Sequence, residues 1–293
     1  MNAPLIGFAG LGVMGEPICR NILKKSGATV QVFDLNAEPV ERLVALGAVQ
    51  VDNIATLAAN VDILFLSLPG GKQVEAVILG EGGVAASGRH GLTVVDMSTT
   101  PVGLTRQVQK HLAEKGIDFA DAPVARTRQA AEDGTLSIMV GANNDVFDKI
   151  RPLLAHAASD VTHCGEVGCG QVVKILNNMV LFETVVALSE ALALGKAAGM
   201  DPDLLFETMS KGSADSFALR NHGMKAMLKD AFPKGAFPTN YALKDVSYAL
   251  DLADLTGIKA HGAELARARM EKAKAAGFSE EYFPVLARLT DTN

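Results

Sequence analysis

The chain has no tryptophan, and aromatic residues make up only 5% of it. Stacking surfaces for single-stranded nucleic acid are built from aromatic rings, so that class of binder is not expected. Cysteine is scarce: Cys19, Cys164 and Cys169 complete the set. An odd, sparse set makes no disulfide framework and fits a reducing compartment. Cys164 and Cys169 follow His163, yet no second ligand pair stands nearby, and no metal site is expected. Positive charge is not in excess either, with Lys+Arg 27 against Asp+Glu 33 and a net charge of −6. Such a surface repels phosphate backbones, which excludes a general nucleic-acid partner but not a local basic pocket. Met1-Asn2-Ala3-Pro4 lacks the basic opening of a secretory signal. The most apolar helical stretch, near Met179 to Met200, carries Glu183, Glu190 and Lys196, and a bilayer span needs about 20 residues nearly free of charge. The expectation is a soluble cytoplasmic protein with no membrane partner.

What is present suits a folded two-domain chain: 293 residues, 48% hydrophobic and 20% charged. Short apolar runs alternate with helix-length segments through the first half. They are Leu5–Ala9, Thr29–Phe33, Asp62–Leu68, Leu92–Asp96, Ile117–Asp121 and Leu136–Val140. This spacing predicts βα units and a mostly parallel sheet, covered on both faces. Near Gly165 the pattern changes. A proline-free helical segment runs from Gly170 to Gly199, followed by helical periodicity over Leu204–Met209, Ala242–Leu255 and Ala260–Ala276. The fold expected is an α/β Rossmann domain over residues 1–164 and an all-α domain over 165–293, joined by a long helix.

Gly10-Leu11-Gly12-Val13-Met14-Gly15 matches G-x-G-x-x-G, directly after a strand and before the helical run Glu16–Lys25. In that context the pattern signals a dinucleotide site. Gly10 permits the turn, Gly12 lets backbone approach a pyrophosphate, and Gly15 lets helix and strand pack closely. The helix start offers unpaired N–H groups to phosphate. Asp34 closes the second strand, where an acid accepts hydrogen bonds from ribose hydroxyls and repels a 2′-phosphate, favouring NAD over NADP. A plain turn at Asp34-Leu35-Asn36 is the bland alternative. Leu68-Pro69 and Ser98-Thr99 fall at strand ends, where open sheets bind ligands; a helix N-cap is the ordinary use of such a Ser-Thr pair.

Lys174 and Asn178 stand four apart on the long helix and share a face. A lone lysine among Val172, Val173, Ile175 and Leu176 is usually a snorkelling side chain. Held in a partly dry cleft, it would have a lowered pKa and could exchange a proton with a substrate hydroxyl.

Taken together, these segments resemble the β-hydroxyacid dehydrogenase family, related to 6-phosphogluconate dehydrogenase. The marks are Gly7 to Pro17, Leu68-Pro69, Asp96-Met97-Ser98-Thr99, Asp121-Ala122-Pro123-Val124, Gly134-Thr135-Leu136 with Met139-Val140-Gly141, Lys174 with Asn177-Asn178, and Lys244-Asp245. The resemblance implies an enzyme that moves hydride between NAD and a small 3-hydroxy acid or its semialdehyde, and a homodimer or homotetramer. It implies Lys174 as general acid/base and Asn178 as a substrate-orienting partner. Leu68, Pro69, Gln73, Thr99 and Lys244 match cofactor-contacting positions.

The chain departs from the family where Ser-Gly-Gly commonly follows the Asp-Ala-Pro-Val segment. Here it reads Ala125-Arg126-Thr127-Arg128. The family's sulfolactaldehyde reductases resemble this segment, and there the loop grips a sulfonate. An arginine fork suits such an oxyanion, so Arg126 and Thr127 are expected to bind the substrate's anionic end; a solvent-facing Arg126 is the alternative. The segment Phe237 to Tyr241 suits pocket lining, with core packing as the alternative for Phe237 and Tyr241. A rival from another class is a dinucleotide-binding reader module without dehydrogenase chemistry.

Overall fold

A computed structural model describes residues 4–290. The chain divides into two compact units between Lys174 and Ile175, inside the long helix. In the first unit the strands are β1 (Ile6–Ala9), β2 (Val30–Phe33), β3 (Val49–Gln50), β4 (Ile63–Leu66), β5 (Thr93–Asp96), β6 (Asp118–Asp121), β7 (Val124–Ala125), β8 (Leu136–Gly141) and β9 (Ala158–Gly165). Between them run α1 (Gly15–Ser26), α2 (Ala37–Val44), α3 (Ile54–Asn60), α4 (Gly71–Leu79), α5 (Val84–Ser87), α6 (Val102–Ala113), α7 (Arg128–Asp133) and α8 (Asn144–Leu154). The long helix is α9 (Cys169–Ala197); α10 (Pro202–Met209), α11 (Thr239–Thr256) and α12 (His261–Ala275) follow.

The strands form one sheet in the order β3-β2-β1-β4-β5-β6-β8-β7, with β9 paired to β8. Pairing is parallel from β3 to β6; β8 runs antiparallel to β6 and β7 and parallel to β9. Strands β1, β4 and β5 are buried along their whole length, as continuous apolar runs require when helices cover both faces. Side-chain caps start several helices: Asn36, Asn53 and Asn143 each accept a backbone N–H in the following turn. Chain order reverses at β1, which lies between β2 and β4, so the carboxyl ends of β1 and β4 flank the switch point where open α/β sheets bind ligands.

The second unit, among its described residues, holds only helices: besides α9 to α12, a π-helical stretch over Leu219–Met227 and a 3₁₀ stretch over Phe283–Leu289. Its core gathers Phe182, Phe206, Met270 and Phe283, with the Phe182 and Phe283 rings edge-to-face at 5.2 Å. By length and composition alone, α9 is apolar enough to cross a membrane, so its charges do not exclude a span as expected. Part of its apolar surface serves the core: Phe182, Val185, Val186 and Leu188 are buried inside the protein, while Val180 and Leu194 are exposed.

Candidate active site

The glycine-rich turn follows β1 directly. Gly10 has φ +89, and a Cβ there would collide with the Ser67 carbonyl. Only glycine takes that conformation and that approach together. A Cβ at Gly15 would collide with the Gly10 carbonyl, which is why helix and turn pack so closely. Gly12 differs: a Cβ there would meet no protein atom within 4 Å. Its bareness serves no packing need, and it borders a cavity of about 250 Å³ lined by Leu11, Val13, Asn36 and Arg42 among others. No side chain caps the start of α1, where Glu16 N donates to the Gly12 carbonyl at 3.1 Å and Pro17 carries no N–H. Met14 is the residue at that uncapped start, and Val13 is exposed beside it.

Asp34 makes the local turn that was its alternative reading and also reaches the glycine-rich turn. Its Oδ1 accepts from Asn36 N at 2.8 Å, a local turn, while its Oδ2 accepts from Leu11 N at 2.5 Å. The carboxylate therefore sits at the end of β2 against the glycine-rich turn. These residues fit a dinucleotide: a bare cradle at Gly12, an uncapped helix start, and an acid at the ribose position.

Leu68, Pro69, Gln73 and Thr99, also expected as cofactor contacts, lie beyond the ends of β4 and β5. Leu68 N donates to Ser98 Oγ at 2.9 Å, joining the ends of β4 and β5. Pro69 is exposed just beyond, and Gln73 is exposed in the first turn of α4. Thr99 is half-buried after β5.

The segment after β7 ties its arginine to neighbouring groups of the first unit. Arg126 has φ +87, a conformation that favours the glycine the family commonly has there. Its guanidinium donates to Thr135 O at 2.6 Å, Ser159 Oγ at 2.6 Å and Asp160 Oδ2 at 2.7 Å. Bonds from Ser159 and then from Arg126 hold the Asp160 carboxyl below its usual range. The fork is thus engaged by Asp160 of the same chain, and both side chains remain exposed. Thr127 caps α7, its Oγ1 accepting from Ala130 N at 3.3 Å.

Lys174 is half-buried in the second turn of α9. Asn178, 3% exposed, uses both ends of its amide: Oδ1 accepts from Asn177 Nδ2 at 3.1 Å, and Nδ2 donates to Asp245 Oδ2 at 2.8 Å. Asp245 in turn pairs with Lys244 Nζ at 3.0 Å, and that ammonium lies over the rings of Tyr241 and Tyr248. The structure therefore joins two expected site residues, Asn178 and Lys244, through Asp245. Sequence reasoning had noted Asp245 only as a motif mark.

Among the described residues, no group of three or more His, Cys, Asp or Glu could hold a metal ion. A Rossmann sheet, a glycine cradle at its switch point and an acid after β2 define a dinucleotide-dependent oxidoreductase. Residues 5–165 match the NAD-binding domain of 6-phosphogluconate dehydrogenase, and residues 168–289 match the C-terminal NAD-binding model of NADP-dependent 3-hydroxyisobutyrate dehydrogenase. The chain belongs to the β-hydroxyacid dehydrogenase family, and its cofactor is NAD.

Similar proteins include 2-(hydroxymethyl)glutarate dehydrogenase of Eubacterium barkeri, 42% identical over 84% of this chain and 81% of its own length. Another is 2-hydroxy-3-oxopropionate reductase of Escherichia coli, 36% identical over 85% of this chain and 84% of its own. Among solved structures, Mycobacterium tuberculosis 3-hydroxyisobutyrate dehydrogenase with L-serine superposes with a TM-score of 0.91. It is 27% identical, and the match covers 99% of this chain and 100% of the other.

Proposed function

We propose that this enzyme moves hydride between NAD and a small acid bearing a hydroxyl on its third carbon, or the matching semialdehyde, with Lys174 as its acid/base. The observation that carries this reading is Lys174, half-buried on α9 four residues before Asn178, whose amide is hydrogen-bonded at both ends. The names of the relatives support the substrate class: each acid they print carries a hydroxyl or oxo group at that carbon.

Bound NAD supplies the hydride acceptor for oxidation, and NADH the donor for reduction. The protein supplies position and the proton. The turn Gly10 to Gly15, Asp34, Leu68, Pro69, Gln73, Thr99 and Lys244 hold the dinucleotide. The Arg126–Thr127 segment receives the anionic end of the substrate. Asn178, held rigid by Asp245 and Asn177, orients the substrate. In oxidation the neutral Lys174 amine takes the hydroxyl proton; in reduction its ammonium returns that proton to the alkoxide.

The substrate's anion is a carboxylate or a sulfonate, and the chain assembles as a homodimer or homotetramer. The apolar Val180 and Leu194, which α9 leaves exposed, offer it a contact. A cytoplasmic location goes with this reading.

The test is a panel of three- and four-carbon hydroxy acids, semialdehydes and their sulfonate counterparts, read by NADH absorbance in both directions with NAD and NADP. Turnover on 3-hydroxy acids with NAD is expected. Tight cofactor binding with no turnover on any compound would instead favour a reader module.

A further inference from the structure

Two aspartates stand side by side where β5 and β6 end. Asp96 and Asp121 are partners in register on these neighbouring strands, and neither has any exposed surface. Each carboxylate is spent on a different segment. Asp96 accepts from Ser98 N and Thr100 Oγ1, both at 2.9 Å, which shapes the turn after β5. Asp121 accepts from Gly168 N at 2.6 Å and Gln171 N at 2.7 Å, which caps the start of α9 from the sheet. An acid at a helix start satisfies orphan N–H groups and meets the positive end of the dipole.

Gln171 links the two. It is wholly buried, and its side chain donates from Nε2 to Ser98 O at 2.8 Å while Oε1 accepts from Thr100 N at 3.1 Å. Both bonds go to backbone, on either side of Thr99. One amide therefore brackets the Thr99 segment and ties it to the first turn of α9. Lys174 lies three residues further on, about 4.5 Å along the helix axis at a rise of 1.5 Å per residue. The close fit admits no slack: a Cβ at Gly170 would collide with the Met139 carbonyl.

We infer that Gln171 is a positioning residue for catalysis, holding the first turn of α9 against the Thr99 segment so that Lys174 keeps its register with the cofactor. A merely filling side chain would need neither the donor nor the acceptor. A misplacement of about 1 Å costs roughly 100-fold in rate, so a clamp one turn from the proton-exchanging group acts on turnover. The inference rests on Lys174 being the acid/base.

The experiment is a double-mutant cycle on the full-length enzyme, with kcat measured at high enzyme concentration on the best substrate of the panel. Gln171→Met keeps length and removes both bonds. It is expected to lower kcat by about 10–100-fold when Lys174 is present. In the Lys174→Ala background the same change is expected to cost less than about threefold, because the residue it positions is gone. NADH fluorescence titration shows that each variant is folded. If Gln171→Met does not fold, Gln171→Glu keeps the length and the acceptor toward Thr100 N, loses the donor, and is expected to show the same coupling. Equal fold-losses in both backgrounds, or no loss with Lys174 present, would overturn the inference while leaving the role of Lys174 standing. Near-normal turnover of Lys174→Ala alone would overturn both, and it is seen before Gln171 is altered.

Discussion

Asn178 and Asp245, on α9 and α11, are joined by a 2.8 Å hydrogen bond, and both side chains are buried. The bond fixes which way the Asn178 amide faces. With Nδ2 given to Asp245, Oδ1 is turned to Asn177. Replacing Asp245 with alanine strands a buried donor and removes the ion-pair partner of Lys244. Leaving such a donor unsatisfied costs about 1–3 kcal/mol. Chemical denaturation of Asp245→Ala is expected to show a loss of that size, with a fall in kcat from the loosened Asn178. Unchanged stability together with unchanged turnover would contradict this.

Gly10 and Gly12 are two residues apart in one turn, yet substitution there should have opposite consequences. Gly10→Ala meets both a positive φ and the Ser67 carbonyl, and should destabilise the first unit by about 1–3 kcal/mol. Gly12→Ala meets no protein atom within 4 Å and should leave stability unchanged. If a pyrophosphate passes over Gly12, the added methyl meets it, and NADH affinity should fall at least about tenfold, the equivalent of about 1.4 kcal/mol. Thermal unfolding without cofactor and fluorescence titration with NADH separate the two effects.

Two buried groups give stability a pH dependence of opposite sign. Burial pushes the Asp121 carboxyl up to about 7 from 3.8, against the N–H bonds of Gly168 and Gln171, which lower it. The folded state then holds a proton that the unfolded chain has already released. This group's contribution therefore falls as pH rises from about 4 to 7. Burial lowers the His222 imidazole from 6.5 to about 4, so its contribution is present above 6.5 and is lost as pH falls toward 4. Asp121→Asn removes the first slope and leaves the second. In a urea series from pH 4 to 7, the variant's stability should rise with pH more steeply than that of the parent chain. Parallel curves would contradict the assignment.

Arg126→Gly removes three hydrogen bonds and relieves a positive φ. The loop then loses its tie to Ser159 and Asp160. If that loop receives the anion, KM for anionic semialdehydes should rise by about tenfold, a loss near 1.4 kcal/mol, with NADH affinity unchanged. Equal KM values for carboxylate and sulfonate substrates before and after the change would show that the loop has no part in selecting the anion.

Much of this was legible in the chain because the informative residues act locally. The strands β1, β4 and β5 are continuous apolar runs ending at glycine, proline or serine, and the glycine turn announces itself by spacing. Strand β9 was not legible: Ala158–Gly165 alternates apolar with polar residues too loosely, and of its residues only Ala158 is buried. The π-helical stretch carries no local signature, and its Gly223 lies close to the Phe206 ring of another helix. Lys174 and Asn178 stand out as candidates in the sequence by their four-residue interval on one helix. Gln171 and Asp245 were not, because a polar residue on a helix usually faces water. Their burial depends on partners 71 or 73 and 67 residues away. The engagement of Arg126 by Asp160, 34 residues on, is hidden for the same reason.

The central claim is that Lys174 exchanges the substrate proton. Its most direct test is the kcat of Lys174→Ala with NADH and an active semialdehyde, beside its NADH dissociation constant. The account predicts a fall in kcat of about 10²–10⁴-fold, the usual worth of a positioned acid/base, with cofactor binding retained. Turnover within about twofold of the parent enzyme would contradict it, since removing such a group costs at least about 100-fold.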